Sequence, residues 1–427
     1  MVTPNNTQHA QLIILGGGIA GLWLLNRLCN AGYDTVLIEK SQLGSGQTLA
    51  SQGIIHGGLK YALNGVLSPA SSAIATMPAR WRDCLAGTGE IDLRDCRILS
   101  PHYYLWSSSG YRSRLKTFLG SKALRGRITQ LTKNEYPEFF RDAENGAARG
   151  NLYQLTDFVV DTPSLLKVLS QRWQHRIFQA REVQVQAESS SKNTAGTAIA
   201  SLRVVGQGIN EKGINETELT LRAERYLLCA GEGNETLLQA LRAAQPQMQR
   251  RPLHMVWLKL KHPQPAFVHC IGDSFGMTPK LTVTSHPEPP DSAHAWTWYL
   301  GGELAETGIK RSSQTQIDTA RTLLTTLFPW VDTRTAKWGS FMINRAEPRV
   351  ATLQRPDTAW LSACHNYLMA WPTKLTLSPN LGDAALAALQ EQQILPAHPA
   401  PASLPKTNPV LTSTLLPASI GTARWEP

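Results

Sequence analysis

The segment AQLIILGGGIAGLWLLNRLCNAGYDTVLIEK, Ala10 to Lys40, constrains the fold of this 427-residue chain more than any other. It opens with QLIILG, a short continuous apolar run of the kind a strand buried on both faces requires. Three glycines follow in the pattern Gly16-x-Gly18-x-x-Gly21. From Ile19 the apolar residues Leu22, Leu25 and Cys29 keep a helical period, and Gly32 stands where a helix C-cap is expected. TVLIEK reads as a second buried strand, ending in Glu39. Strand, tight turn, helix, strand and acid together make a dinucleotide-binding unit.

Each residue type has a physical reason. Gly16 permits the sharp turn. Gly18 lets backbone N–H groups approach a pyrophosphate at the helix N-terminus, where the dipole favours negative charge. Gly21 lets the helix pack close to the strand. Glu39 can accept hydrogen bonds from both hydroxyls of a ribose, and Lys40 beside it is a further candidate contact. Glu39 falls 18 residues after Gly21, near the usual spacing of about 20. A glycine-rich turn alone is weak evidence, since structural turns share it. The complete context carries the reading.

Composition narrows the class. Apolar content of 42% and charged content of 17% exclude a disordered chain. The length allows two or three domains. The net charge of +10 favours anionic partners. None of the six cysteines sits in a Cys-x-x-Cys pair, as expected of reduced thiols in a cytoplasmic protein. MVTPNNTQHA lacks the layout of a signal peptide, and no apolar run approaches the roughly 18 residues of a spanning helix. No metal-ligand spacing, phosphate-loop Gly-Lys-Thr or nucleic-acid recognition module is found, so neither a metal nor a nucleic-acid partner is expected.

NAD and FAD proteins share the first unit, and the next segment chooses between them. KSQLGSGQTLASQGIIHGGLKYAL is small, polar and rich in Gly and Ser, suited to run back along a pyrophosphate. TLASQGIIHGGLKYAL resembles the corresponding segment of FAD-dependent glycerol-3-phosphate dehydrogenases and L-2-hydroxyglutarate oxidases, within the D-amino-acid oxidase superfamily. Those families carry an Ile-His-Gly-Gly or Ile-His-Ala-Gly run. The resemblance implies that Ser51, Gln52 and Gly53 line the flavin and that His56 approaches its ring system. On its residues alone, His56 reads equally well as a satisfied core histidine. Its role as base, hydrogen-bond donor or covalent attachment point stays open.

Further segments match the same superfamily. ERYLLCAGEGNETLLQAL is a buried strand ending in Ala230-Gly231, then a helix; the resemblance places that turn beside the FAD. REVQVQ would bring Val183 near the adenine. NYLMAWPTKLTLSPNLGDAALAAL resembles the C-terminal flavin segment, which implies that Lys374, Leu375 and Thr376 lie near the pyrimidine edge. A positive charge there would stabilise a reduced flavin anion. The other reading of Lys374 is an exposed loop lysine. In KWGSFMINRAEPRV, Arg345 is separated from Pro348 by Ala346 and Glu347, whereas the resembled families have a Gly-x-Arg-Pro run. Arg345 or Arg349 is then the substrate arginine, a guanidinium being suited to a carboxylate or phosphate. An ion pair with Glu347 is the alternative. Tyr299 either lines the same pocket or packs within a sheet.

The expected fold is α/β, a Rossmann-like FAD-binding domain with an interleaved antiparallel-sheet substrate domain. The first takes 10–75, 151–245 and 340–392; the second takes 76–150 and 246–339, where Trp-, Val- and Thr-rich strands recur. Residues 393–427 form a Pro-rich tail. Tyr111–Lys133, rich in Lys and Arg without Asp or Glu, reads as a solvated face or as a peripheral contact with the inner membrane face. The expected activity is an FAD-dependent oxidoreductase taking hydride from a small anionic substrate, a hydroxy acid or a glycerol 3-phosphate-like compound. Oxygen, quinone or another carrier would be the electron acceptor. The alternatives are an amino-acid oxidase acting on a CH–NH bond and a flavin-binding scaffold without turnover.

Overall fold

The computed structural model describes residues 7–58, 69–108, 127–141, 150–188, 196–210, 213–271, 279–349, 358–399 and 409–426. Most of the basic stretch Tyr111–Lys133 lies outside them. The chain begins β1 (Thr7–Leu15), α1 (Ile19–Asn30), β2 (Thr35–Glu39), β3 (Ile54–Ile55), α2 (Pro69–Ala86), β4 (Ile98–Ser100), β5 (Tyr103–Ser108) and β6 (Ile128–Gln130). It continues α3 (Glu138–Arg141), β7 (Gly150–Leu155), β8 (Phe158–Val160), α4 (Thr162–Gln171), β9 (Ile177–Ala187), β10 (Ile199–Asn210), β11 (Gly213–Leu228) and α5 (Asn234–Ala240). Then come β12 (Met248–Leu260), β13 (Val268–Ile271), β14 (Leu281–Pro287), β15 (Trp296–Gly301), α6 (Glu303–Thr307) and α7 (Ser313–Leu327). The last elements are β16 (Lys337–Pro348), β17 (Trp360–Cys364), β18 (Tyr367–Trp371), α8 (Ser378–Glu391) and α9 (Pro409–Thr414).

The strand read first, β1, lies at the centre of a parallel layer in the order β9-β2-β1-β11-β18, with β17 antiparallel at the edge. Its apolar run is explained by burial on both faces. Leu12 and Ile14 point to a core shared with α1, α4 and α8, while Ile13 and Leu15 point to a second core. That second core is roofed by an antiparallel meander made from the far halves of β9 and β11 with β10 between them. Helix α1 is buried on nearly every side because it packs between the sheet, α4 and α8. Gly32, at φ 92°, ends it where the sequence placed the cap.

The second large sheet has eight strands in the order β16-β12-β15-β14-β13-β5-β7-β6. Direct partners share a face and side chains alternate. One face, with Val256, Leu258, Val268, Trp298 and Leu300, is covered by Ile317, Ala320 and Leu324 of α7. The opposite, inward face carries Tyr103, Leu105, Tyr153, His269, Thr282, Tyr299, Met255, Phe341 and Arg345. Part of it packs on Ile54 of β3 and Val159 of β8. Tyr299 Oη donates to the Ala50 carbonyl at 2.7 Å, and Gln52 Nε2 donates to the carbonyls of Tyr299 and Thr282 at 2.9 and 3.2 Å.

Two details differ from expectation. The sheet is not wholly antiparallel, since β5 and β13 run parallel where two separate insertions meet. The chain also leaves this sheet at Leu155 and Pro348 rather than at 150 and 339, because β7 and β16 hydrogen-bond along their lengths into it. The tail packs back on the body: Leu411 and Leu415 enter the meander core, Ile420 bridges to Leu43, and Trp425 lies against His286 and Tyr299. Among the described residues no helix is long and apolar enough to cross a membrane.

His286 generates a pH prediction. Burial beneath Trp425 pushes its imidazole down to about 4, against about 6.5 for an unfolded chain. Between these values the unfolded state binds the extra proton, so stability falls as the pH drops through that window. The urea midpoint of wild type is expected to fall from pH 6.5 to pH 4 more steeply than that of His286→Gln, measured side by side.

Candidate active site

The glycine turn is built to close tolerances. Gly16 has φ 109°, and a Cβ there would lie 2.6 Å from the Cys229 carbonyl oxygen. A Cβ on Gly21 would lie 1.9 Å from the Gly16 oxygen. Gly18 precedes α1 without a side-chain cap of its own; Thr48 Oγ1 instead accepts the Ile19 N–H at 2.9 Å. Glu39 accepts the Gly17 N–H on one oxygen and the Ser41 N–H, at 2.7 Å, on the other. Ala230 packs against Gly16, and its N–H is held by the buried Asn234 side chain at 2.9 Å. Gly231 follows at φ 57°. These residues meet at the carboxyl edge of the parallel strands, where open α/β sheets bind ligands. Ser51 Oγ is buried there with no partner among the described residues, a group that a ligand can satisfy. Open helix N-terminus, acidic acceptor and orphaned hydroxyl fit a pyrophosphate and its ribose.

Two expected contacts stand further out. Val183 lies four residues beyond Gln179, the register partner of Glu39, and so past the end of β2 in the meander. Lys40 is exposed and lines a cleft of about 570 Å³ with Arg181, Arg203, Glu182, Glu216 and Glu218. Gln52, expected at the flavin, has its amide N–H groups committed to the eight-stranded sheet. Gly53 is at φ 67°, and a Cβ there would lie 2.2 Å from the Val160 oxygen.

His56 follows β3. Its N–H donates to Thr376 Oγ1 at 2.8 Å, which joins β3 to the turn before α8. Thr376 is fully buried, and its carbonyl accepts Trp81 Nε1 at 3.0 Å. Leu375 packs against the helical core, and half-buried Lys374 precedes this turn. Among the described residues, the ring of His56 faces Asp157 and His269 rather than a backbone carbonyl. Its Nδ1 is 3.4 Å from Asp157 Oδ2, and the His269 ring lies 6.1 Å away and within 8° of parallel. The His56 side chain is 37% exposed and Asp157 is buried, so the ring is reachable from the space between the sheets. Sequence reasoning missed Asp157 and His269. TDFVV offers no local periodicity that separates a functional acid from a turn residue.

Arg345 stands on the inward face of β16. Its Nη atoms are each 3.4 Å from Glu306 Oε1. Burial, and then the like charge of Arg251, push its pKa down. The alternative reading, an ion pair with Glu347, is not among the described contacts; Arg251 and Gln249 hold that buried carboxylate at 3.3 and 3.2 Å. Arg349 is exposed and donates to the Gln247 side chain at 3.3 Å. The Ala346 N–H donates to Gln47 Oε1 at 3.1 Å, tying the arginine strand to the Gly/Ser-rich segment. No described contact joins Arg345 to His56.

The family model described as FAD dependent oxidoreductase matches residues 11–373. The chain belongs to this FAD-dependent oxidoreductase family. It is 44% identical over 397 residues to a probable FAD-dependent oxidoreductase of Pseudomonas aeruginosa, covering 92% of this chain and 95% of that one. The crystal structure of the FAD-dependent oxidoreductase from Pseudomonas aeruginosa superposes with a TM-score of 0.78 at 37% identity, covering 99% of both chains. The fold is also similar to that of glycine oxidase from Geobacillus kaustophilus, with a TM-score of 0.61, 18% identity and coverage of 94% and 99%. L-alpha-glycerophosphate oxidase from Mycoplasma pneumoniae, solved with FAD bound, gives a TM-score of 0.61 at 13% identity, covering 90% and 95%. The protein is therefore an FAD-dependent enzyme with the fold expected of the superfamily.

The tight Gly21 contact yields a direct test. Gly21→Ala should lower FAD affinity by at least about tenfold, or about 1.4 kcal/mol, as the helix is pushed off the turn. Titration of the apoprotein with FAD, followed by flavin fluorescence, measures it.

Proposed function

We propose that this enzyme removes hydride from a carbon bearing a hydroxyl in a small anionic substrate, a hydroxy acid or a glycerol 3-phosphate-like compound. The observation that carries this reading is the partly exposed His56 imidazole set beside the buried Asp157 carboxylate. When bound, the flavin accepts the hydride. The chain's residues do the rest. His56 takes the hydroxyl proton as general base. Arg345 anchors the anion; its contacts to Glu306, at 3.4 Å, are longer than the 2.7–2.9 Å or so of a strong charge-assisted bond, so a substrate carboxylate or phosphate can replace them. Lys374, just before the turn that holds His56, supplies positive charge toward the pyrimidine edge. Gly16, Gly18, Gly21, Glu39, Ser51, Ala230 and Gly231 hold the cofactor, with Lys40, Val183, Leu375 and Thr376 at its ends.

An amine substrate can use its own nitrogen lone pair to drive hydride loss, whereas an alcohol must shed a proton. A histidine set beside a buried acid therefore supports the alcohol reading over the CH–NH one. Electrons then pass to oxygen, a quinone or a protein carrier. On the same reading, the substrate domain takes the eight-stranded sheet and the FAD-binding domain the parallel layer, with the chain crossing near Leu155 and Pro348.

Anaerobic addition of glycerol 3-phosphate, L-2-hydroxyglutarate, other 2-hydroxy acids and amino acids to the purified holoenzyme tests this. Bleaching of the flavin band by a hydroxy compound is expected, and bleaching by amino acids alone would overturn the proposal. With the reactive compound, Arg345→Lys should raise KM by about 10- to 100-fold, because a lone ammonium cannot reproduce bidentate binding.

A further inference from the structure

Asp157 belongs to none of the motifs the sequence displays, yet it is a carboxylate only 4% exposed in the turn between β7 and β8. A buried charge of this kind must be matched by donors. Its Oδ1 accepts the Gly57 N–H at 2.7 Å, and its Oδ2 lies 3.4 Å from His56 Nδ1. Arg82 of α2, seated over the Phe158 ring at 4.3 Å, adds a compensating positive charge. We propose that Asp157 is a positioning residue that holds His56 in the tautomer protonated on Nδ1, leaving the Nε2 lone pair as the proton acceptor toward the space between the sheets.

The chemistry of the pair sets the tautomer. An ionised carboxylate can only accept, so a neutral imidazole facing it places its single proton on the near nitrogen. The carboxylate is itself anchored, because the Gly57 N–H that grips Oδ1 belongs to the residue next to His56. One side chain thus fixes both the ring and the backbone that carries it. Thr376 Oγ1 holds the His56 N–H from the other side. The His269 ring, with its Nδ1 2.9 Å from Thr282 Oγ1, stands nearly parallel and limits how far His56 can swing. The 3.4 Å separation leaves room to tighten when substrate arrives, as such contacts commonly do.

The step rests on the proposed function. The substrate O–H bond breaks and an Nε2–H bond forms on His56, while the hydride leaves the adjacent carbon for the flavin as oxidant. The imidazolium charge then sits against Asp157. The same logic orients the imidazole of hydrolytic triads.

Histidine-specific ¹⁵N labelling of the FAD-loaded protein, read by long-range ¹H–¹⁵N correlation where the rings are neutral, reports the tautomer directly. His56→Asn identifies the His56 signals among the 11 histidines. The wild type is expected to carry the proton on Nδ1. Asp157→Asn keeps an oxygen for the Gly57 N–H but presents an amide donor to the ring, so the proton should move to Nε2. The rate of flavin reduction should then fall by about 10²- to 10⁴-fold, with FAD content unchanged and KM little altered. A wild-type proton on Nε2, or the same tautomer in Asp157→Asn, overturns the proposal. If Asp157→Asn does not fold, the wild-type tautomer alone decides. A panel in which no compound reduces the flavin defeats the substrate reading and leaves the tautomer result standing on its own.

Discussion

Gln52 carries the contact on which the arrangement depends. Its amide donates to two carbonyls of the eight-stranded sheet, and Tyr299 returns a hydrogen bond to Ala50 from the same sheet. These bonds are buried or half-buried, so leaving a partner unmet costs about 1–3 kcal/mol each. They pin the Gly/Ser-rich segment to the eight-stranded sheet, beside the apolar contacts of Ile54 and Val159 and the Gln47–Ala346 hydrogen bond. Together with these contacts, that pinning holds His56, which follows β3, beside His269 of the eight-stranded sheet.

The second consequence is electrostatic. Two arginines of the inward face are paired, Arg345 with Glu306 and Arg251 with Glu347. Each pair brings a cation toward a partly dry space and offsets its desolvation. The two pairs differ in the exposure of the acid, 35% for Glu306 against 2% for Glu347. Exchange of a partner is therefore cheapest at Arg345, the position where an incoming anion gains most.

What could be read in the sequence was what is local. The glycine unit is spelled within 31 residues, because strand, turn and helix there are neighbours in chain and in space. The pairing of β5 with β13, the meeting of Arg345 with Glu306, and the approach of Asp157 to His56 all join distant stretches. No period or motif encodes them. Gln52 is the instructive case: the resemblance marked it as a flavin contact, and its neighbours in space make its amide a bridge between sheets.

The bonds that shape the site span most of the chain. His56 meets Thr376 across 320 residues, Gln47 meets Ala346 across 299, and Ser45 meets Arg424 across 379. Contacts so remote in sequence are the last to form as a chain folds, since loop-closure entropy must be met first. A nascent chain on the ribosome can complete the glycine turn's first strand and helix early. The surroundings of His56 wait until Thr376 has emerged, well after the first strand and helix of the glycine unit.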